Sequence, residues 1–565
     1  MKRKKDGNAA ANHGTAGLAV LGRVLLGLIG ALTLLVPLAV TGVSLYAWPG
    51  QGEAQFVGLS NYRNILLYDD TFYMALGNSA LDFLIIGVGG LALGFLVAWG
   101  LRGLPGGLRY IPVAALCVPL LTSGWLYVFQ HFFAGAEYGL LNVILSGLGL
   151  QSRPALWLST KGFMPVIVRG LQLLTAIGPA ALIISAGLDG AGRRVRESAY
   201  RQQIRGELRI FWQLTLPAMR MPLMLAAAVT ALCSLGTARI SRELLNITST
   251  SYTGYPLWLH VTANAGAESK LGTAAALLVL TMLFIGALVA VMCTAIMLLT
   301  RRGSRLQGSV AMPEAERRIR KRPGPARLAV GVAVGVLCCL LSAALLARLI
   351  VMSLMPLKDL YSSSLRLLPS SPVLDPYRNL LGDMVARSAN GDGTMPGAAA
   401  ALLGAVVTAA AGVLMGLGLT QRMTKRLRSL LAVMLILSQL TIPAVCFLAE
   451  YQPWWPAASR ADMDVLLWMF QYMLPLGCLL GLSLRAICRG RSTTQRLAMA
   501  AAGCLCALVL PVWYVGMDAL GSLWRGTYTY RAVGYVLMDM VPLLLCYPLT
   551  AGLARLISGA NARAD

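Results

Sequence analysis

Charge and catalytic chemistry are both scarce in this chain. Only 13% of its 565 residues are Asp, Glu, Lys or Arg, against about a quarter in soluble domains, while 57% are hydrophobic and the mean hydropathy is +0.68. Those values exclude a soluble globular protein and point to an integral membrane protein. There are three histidines, His13, His131 and His260, scattered along the chain with no HExxH between them. No GxxxxGK[ST] phosphate loop occurs, so the chain does not energise itself by nucleotide hydrolysis through that route. The eleven cysteines form no CxxC pair and no Cys/His spacing for a metal, and they read as small buried apolar residues. An intramembrane protease or lipid-modifying enzyme needs a nucleophile with a base, or paired carboxylates, and neither stands at a working spacing. The expectation is therefore a protein that is not an enzyme and holds no cofactor or metal of its own. Acidic residues are the rarer sign, 23 against 48 basic, for a net charge of +25. The basic residues fall between apolar stretches and make no face interleaved with aromatics, which argues for topology and against nucleic acid.

What is abundant is apolar sequence in lengths that suit a bilayer. A helix needs about 20 apolar residues to cross, and about twelve such spans are predicted. They cover 18–46, 77–101, 110–132, 162–187, 222–240, 271–300, 328–355, 397–420, 429–449, 465–484, 497–519 and 534–557. The first follows Met1-Lys-Arg-Lys-Lys5 and is longer than a signal core, so it reads as a retained span. An even number of spans puts both termini on one side. Assigning basic residues to alternating loops gives about 32 on the side of the termini against about 12 on the other, which makes that side cytoplasmic.

The chain also repeats. Leu59-Ser-Asn-Tyr62-Arg63-Asn64-Ile65-Leu66 follows the first span and Leu374-Asp-Pro-Tyr377-Arg378-Asn379-Leu380-Leu381 follows the seventh. Both read LxxYRN followed by two aliphatic residues, in equivalent external loops. Between the sixth and seventh spans, residues 301–327 carry Arg317-Arg318, Arg320-Lys321-Arg322 and a Pro323-Gly324-Pro325 break. The predicted organisation is a first half at 1–300, a basic cytoplasmic linker at 301–327 and a second half at 328–565. The fold class is all-α: two parallel, pseudo-repeated six-helix halves.

One polar stretch organises the first half. Residues 186–222 carry Arg193, Arg194, Arg196, Arg201, Arg205, Arg209 and Arg220 between two spans, so they lie inside by the positive-inside rule. Ala199, Ile204, Leu208 and Phe211 with Trp212 have helical spacing, and Pro217 and Pro222 are the expected stops. A short amphipathic helix along the membrane face is predicted. Ala186-Gly187-Leu188, then Glu197-Ser198-Ala199, then Leu216-Pro217 and Pro222 resemble the EAA loop of permease subunits of binding-protein-dependent ABC importers. The resemblance implies that this loop forms short coupling helices docked in a groove of a cytoplasmic ATPase. Glu197, Ser198, Ala199, Phe211, Leu216 and Pro217 are the matching positions. Where the family has a glycine a few residues after the triplet, this chain has Gln203 or Ile204, and Gly206 stands in for it. Val57-Gly-Leu-Ser-Asn-Tyr62, Gly139-Leu-Leu-Asn142, Gly147-Leu-Gly149, Trp157 and Leu271-Gly272-Thr-Ala-Ala-Ala276 follow the order seen in the carbohydrate-type branch. The second half has only Arg485–Arg496 at the corresponding place, a shortened loop with no triplet.

The resemblance implies a fused pair of permease domains in a bacterial cytoplasmic membrane. ATP is bound by partner ATPase subunits, and a sugar or oligosaccharide arrives on an extracytoplasmic solute-binding protein. Membrane lipid is the remaining partner. Charged residues inside spans are functional candidates: Asp82, Arg169, Arg239, Arg348 and Asp539. Arg169 and Gln172 share one helical face and offer donors and an acceptor to a hydroxylated substrate, unless Arg169 pairs with an interior carboxylate such as Asp82. Trp125 and Tyr127 suit either stacking on a sugar ring or anchoring at the interface. Two alternatives stay open. A fused permease for ferric iron, thiamine or another small solute keeps the architecture with a different pocket. A membrane scaffold or sensor that binds an ATPase without transporting suits the short second loop.

Overall fold

The computed structural model describes residues 53–122, 124–237, 253–265, 270–301, 324–364, 366–379 and 528–561, with parts of 20–47 and the single residues 240, 241, 244 and 414. The predicted spans at 397–420, 429–449, 465–484 and 497–519 lie outside those residues, apart from the single residue 414. So do the loop 485–496, linker residues 302–323, Arg239 and His13. The architecture is helical, and among the described residues four helices are long and apolar enough to cross a membrane, or up to six if each of two bent pairs is one span. The chain is accordingly a multi-pass membrane protein by length and composition. It divides into two compact bodies, Met1–Asp69 with Val261–Leu280 and Leu381–Leu523, and Asp70–His260 with Thr281–Leu380 and Trp524–Asp565.

In the first body a two-residue antiparallel ladder, β1 (Tyr46–Ala47) with β2 (Gln55–Phe56), is followed by α1 (Ser60–Tyr68). Asn61 is buried at the start of α1 and its Nδ2 donates to the carbonyls of Ser44 and Tyr46 at 2.8 and 3.0 Å. Gly272 packs on the same Tyr46 carbonyl so closely that any Cβ would collide with it. Asn61 and Gly272, 211 residues apart in sequence, thus close on one backbone oxygen.

The second body begins with α2, the helical run Asp70–Gly103, whose middle is a π-helical turn at Phe83–Val88. It continues with α3 (Gly106–Leu121), α4 (Gly124–Phe132), α5 (Leu140–Gly147) and α6 (Phe163–Arg201). Then come α7 (Glu207–Ala218), α8 (Arg220–Gly236), α9 (Leu257–Ala265), α10 (Leu271–Arg301), α11 (Pro325–Leu354), α12 (Leu357–Leu360) and α13 (Tyr528–Asn561). Helices α9 and α10 start or end in the first body. The apolar window of α6 is 83% buried, whereas those of α2 and α10 are 33% buried, so α6 is the most enclosed of these helices. Small residues make that burial possible. Gly90 and Gly94 of α2 lie against Ala176 and Ala180 of α6, where an added Cβ meets the alanine methyl at less than van der Waals distance. This small-xxx-small match brings two backbones together where no hydrophobic force separates helix from lipid.

Loops predicted for one side of the membrane meet at one end of this body. At the end predicted to be cytoplasmic, the buried Arg109 pairs with Asp189 and donates to the carbonyls of Leu101, Arg102 and Leu104, each at 3.1 Å. Tyr110 Oη adds a 2.6 Å bond to the same Asp189. At the other end, Asn142 of α5 is a buried hub. Its Nδ2 donates to Ala134, Ala136 and Ala155 carbonyls, and its Oδ1 accepts from Gln151, the Ala155 backbone and Trp157 Nε1, the last at 2.7 Å.

Three predicted boundaries are corrected. The fourth span ends at Gly192, five residues past Gly187, and its helix α6 continues beyond the span to Arg201, 39 residues in all and about 58 Å at 1.5 Å per residue. Ala191, Val195 and Ala199 continue its apolar stripe at four-residue spacing and pack on Leu214, so the helix has a reason to extend beyond the apolar run. The third span is bent by 78° between α3 and α4, where the Gly124 amide donates to the buried Asp539 carboxylate at 2.7 Å. Pro222 does not stop a helix; it sits in the first turn of α8, and the chain bends by 70° between α7 and α8 instead.

Candidate coupling surface and buried polar junction

The segment after α6 is a helix–turn–helix. Gln203 has φ of +51° and Gly206 has φ of +90°, and among the described residues Gln203 is the one non-glycine residue with positive φ. The turn reverses the chain so that Leu214 of α7 packs on Ala191, Val195 and Ala199 of α6, with Ile204, Ile210 and Ala218 around them. Ser198 and Ala199 are buried in this contact and Glu197 is half-buried. Leu216 and Pro217 are half-buried at the end of α7. The predicted apolar stripe therefore divides. Ala199 and Ile204 face the small core, whereas Leu208 and Trp212 face out, 74% and 53% exposed. Arg196, Arg201, Arg205 and Arg209 of the same segment are exposed as well. Phe211 turns the other way, with its ring centroid 4.8 Å from Trp99 and 5.9 Å from Phe95 on α2. Arg102 lies over the Trp99 ring at 3.7 Å and its guanidinium is 3.7 Å from Glu207, which also contacts Arg327 at the start of α11.

Toward the opposite end of α6, about 42 Å from Glu197 at 1.5 Å per residue, lies the charge expected inside the membrane. Arg169 Nε donates to Asp82 Oδ1 at 2.7 Å, and its Nη2 to Asn78 Oδ1 at 3.0 Å. Thr237 Oγ1 donates to Asp82 Oδ2 at 2.8 Å. Asp82 is 2% exposed, so a carboxylate buried among apolar helices is matched by one guanidinium and one hydroxyl. Gln172, on the same face of α6, gives its amide to the Cys233 carbonyl. Asn78 and Thr237 are participants that the sequence reading passed over. Asn78 stands four residues before Asp82 and hence on its helical face, which was the available signal. Trp125 and Tyr127 are both 3% exposed: Trp125 Nε1 donates to the Thr122 carbonyl, and the Tyr127 ring lies 5.5 Å from Tyr535. His131 is buried with Nε2 3.1 Å from the Leu360 carbonyl, and Arg348 Nη1 donates to the Arg366 carbonyl. Among the described residues no cluster of three or more His, Cys, Asp or Glu is arranged to hold a metal.

The two LxxYRN segments have matching local geometry. Tyr62 Oη is 2.6 Å from Ser44 Oγ, and Tyr377 Oη is 2.6 Å from Ser353 Oγ. Each serine also donates to the carbonyl three residues before it, Thr41 or Ile350. The next residue, Leu45 or Leu354, accepts at 2.9 Å from a valine amide, Val57 or Val373. Beyond α11, Asp359 accepts from the Ser370 amide and from Arg366 Nη1, both at 2.7 Å. The Ser370 amide and Arg366 hold its carboxyl below the usual carboxylate range against the cost of burial. No protein-family model matches the chain, and no curated protein matches it significantly.

Proposed function

We propose that the chain is the membrane permease of an ATP-driven importer, with two permease halves of about six helices each fused through the basic linker. The observation that carries this reading is the helix–turn–helix at 186–218. Ala199 packs on Leu214 next to the buried Ser198, a non-glycine residue accepts positive φ to make the turn, and Leu208 and Trp212 are exposed in a segment whose Arg196, Arg201, Arg205 and Arg209 are exposed too. A loop that spends its inner face on its own helix and leaves two large apolar side chains outward is built to be covered, and an ATPase subunit is the proposed cover. The matched Ser–Tyr closures at 44–62 and 353–377 support a duplicated half, since the Ser-Leu pair, the valine amide and the tyrosine recur in the same order. Asn142 with Trp157, and Asn61 with Gly272, support the carbohydrate-type resemblance, because those motif residues each complete a tertiary contact.

In this reading the termini are cytoplasmic in a bacterial plasma membrane. An external binding protein delivers a sugar to the loops around Tyr62 and Tyr377, and nucleotide-driven closure of the ATPase pair moves α6 and α7 from below. ATP belongs to the partner. The test is purification of the tagged full-length chain from its native membrane, with ATP hydrolysis and mass spectrometry on what is retained. Retention of a subunit with a phosphate-binding loop, lost on Glu197→Ala or on deletion of 203–206, supports the proposal. A preparation of intact chain with neither hydrolysis nor such a subunit overturns it.

A further inference from the structure

Beside the Asp82 junction lies a narrow crevice of the second body. Ser79 and Phe83 of α2, Ser234 of α8, Thr237, Pro256 and Trp258 line it, and it leaves room for about one water molecule. Its outer side is covered by residues 253–258, and that cover is pinned. Asn78 Nδ2 donates to the carbonyls of Thr253 and Tyr255 at 3.0 and 3.2 Å, and the Leu257 amide donates to Ser79 Oγ at 2.9 Å. Asn78 Oδ1 accepts from Arg169. One amide therefore joins the ion pair to the cover.

We infer that this crevice is a binding site for a small, uncharged, hydroxyl-bearing solute, closed in this structure by residues 253–258 with Asn78 as the latch. The chemistry of the lining points to that class. Ser79, whose oxygen accepts from Leu257, has its hydroxyl proton to donate, Ser234 and Thr237, whose protons go to the Ala231 carbonyl and to Asp82, offer acceptor lone pairs, and the Phe83 and Trp258 side chains supply apolar faces for C–H groups. The neighbouring carboxylate is already matched by Arg169 and Thr237, so the site holds no spare charge for a cation or an anion. Binding requires the crevice to widen, and release of the Asn78 bonds to Thr253 and Tyr255 is the movement that widens it. The inference rests on the permease reading only for the statement that the solute goes on to cross the membrane.

The experiment is saturation-transfer NMR on the purified full-length chain in nanodiscs, with glucose and glycerol as neutral probes and thiamine as the charged one. Asn78→Ala, which frees the cover, is expected to raise the signal of at least one neutral probe severalfold over wild type. Adding Trp258→Phe or Ser234→Ala to Asn78→Ala is expected to cut that gain by half or more, and both are mild enough to keep the helices packed. Thiamine is expected to give no gain. Three results overturn the site: no signal from either neutral probe in Asn78→Ala, a gain indifferent to Trp258 and Ser234, or a gain for thiamine equal to that for glucose. A chain that binds the neutral probes in this pattern yet retains no ATPase removes the importer and leaves the site standing.

Discussion

Phe211 meets Trp99 edge to face, with ring planes 75° apart, while its neighbour Trp212 is 53% exposed. Two adjacent aromatics thus serve different ends. Phe211 fastens α7 to the end of α2, with Phe95 and Arg102 completing the aromatic stack. Trp212 meets the Phe211 ring edge to face at 5.3 Å on one side and leaves the rest of its indole open to a partner.

Replacing Phe211 by alanine should therefore loosen α7 itself. An edge-to-face pair is worth about 1 kcal/mol beyond its area, which corresponds to roughly fivefold faster amide exchange if α7 opens locally. Hydrogen exchange on the full-length chain reads this in peptides covering 207–219. Unchanged exchange there would mean that α7 is held by Leu214 and the α6 contact alone.

Leu208→Ala and Trp212→Ala should do the reverse. Leu208 projects from the surface and Trp212 gives up only its edge-to-face contact with Phe211, so exchange and thermal stability change by less than in Phe211→Ala. ATPase retention should fall by tenfold or more in the double variant, since buried aromatic anchors dominate interface energies. Equal retention would mean that the partner grips the arginines, and then raising salt should release it.

The turn residue makes a separate prediction. At φ of +51°, Gln203 stands in the left-handed region, where a β-branched side chain costs about 1–2 kcal/mol. Gln203→Val should lower stability by about that much, measured by thermal unfolding in detergent, and Gln203→Gly should be close to neutral. A tolerated valine would show that the turn is remade without positive φ.

The buried pair should behave as a unit. Asp82→Ala alone leaves the Arg169 guanidinium without its carboxylate and should cost about 3–5 kcal/mol, whereas Asp82→Ala with Arg169→Met should regain most of it. Size-exclusion profiles of the solubilised chain after graded heating distinguish the two. A double variant as unstable as the single one would place the cost in lost packing.

How much of this was legible from sequence follows from which forces act locally. Apolar length alone located α10 and α11 almost to the residue, 271–300 against Leu271–Arg301 and 328–355 against Pro325–Leu354, because a bilayer reads length and composition. Apolar length places the fourth span at 162–187 against Phe163–Gly192, but not the continuation of α6 to Arg201, which depends on Leu214 returning from the other side of the turn, a tertiary contact. The Arg169–Asp82 pair was in view because charge in an apolar run has few partners. Asn78 is signalled only by its place one helical turn before Asp82, and Thr237 by nothing, since a hydroxyl is common enough in spans to carry no signal until the helices are packed. Trp125 and Tyr127 had two readings as exposed or ligand-facing aromatics, and only packing against α13 and the local backbone shows where they go.

A last prediction concerns acidity. Asp359 is buried at the start of the loop after α11, and the Ser370 amide and Arg366 stabilise its charged form, so its carboxyl ionises below the usual value. For a depressed carboxyl the stabilisation is complete above the unfolded value, about pH 3.9, and is lost as pH falls through the lower folded value. Residues 357–373 should therefore stay ordered from neutral pH down to about pH 4 and loosen below it. Limited proteolysis of this loop across pH 3 to 7, with a protease active over that range, provides the measurement. Asp359→Asn should cleave faster at neutral pH and show a flatter profile, because an amide oxygen accepts from Ser370 but cannot pair with Arg366 as an ion. A loop equally resistant at all pH values in both proteins would mean that Val373, whose amide bonds the Leu354 carbonyl, holds it without the carboxylate.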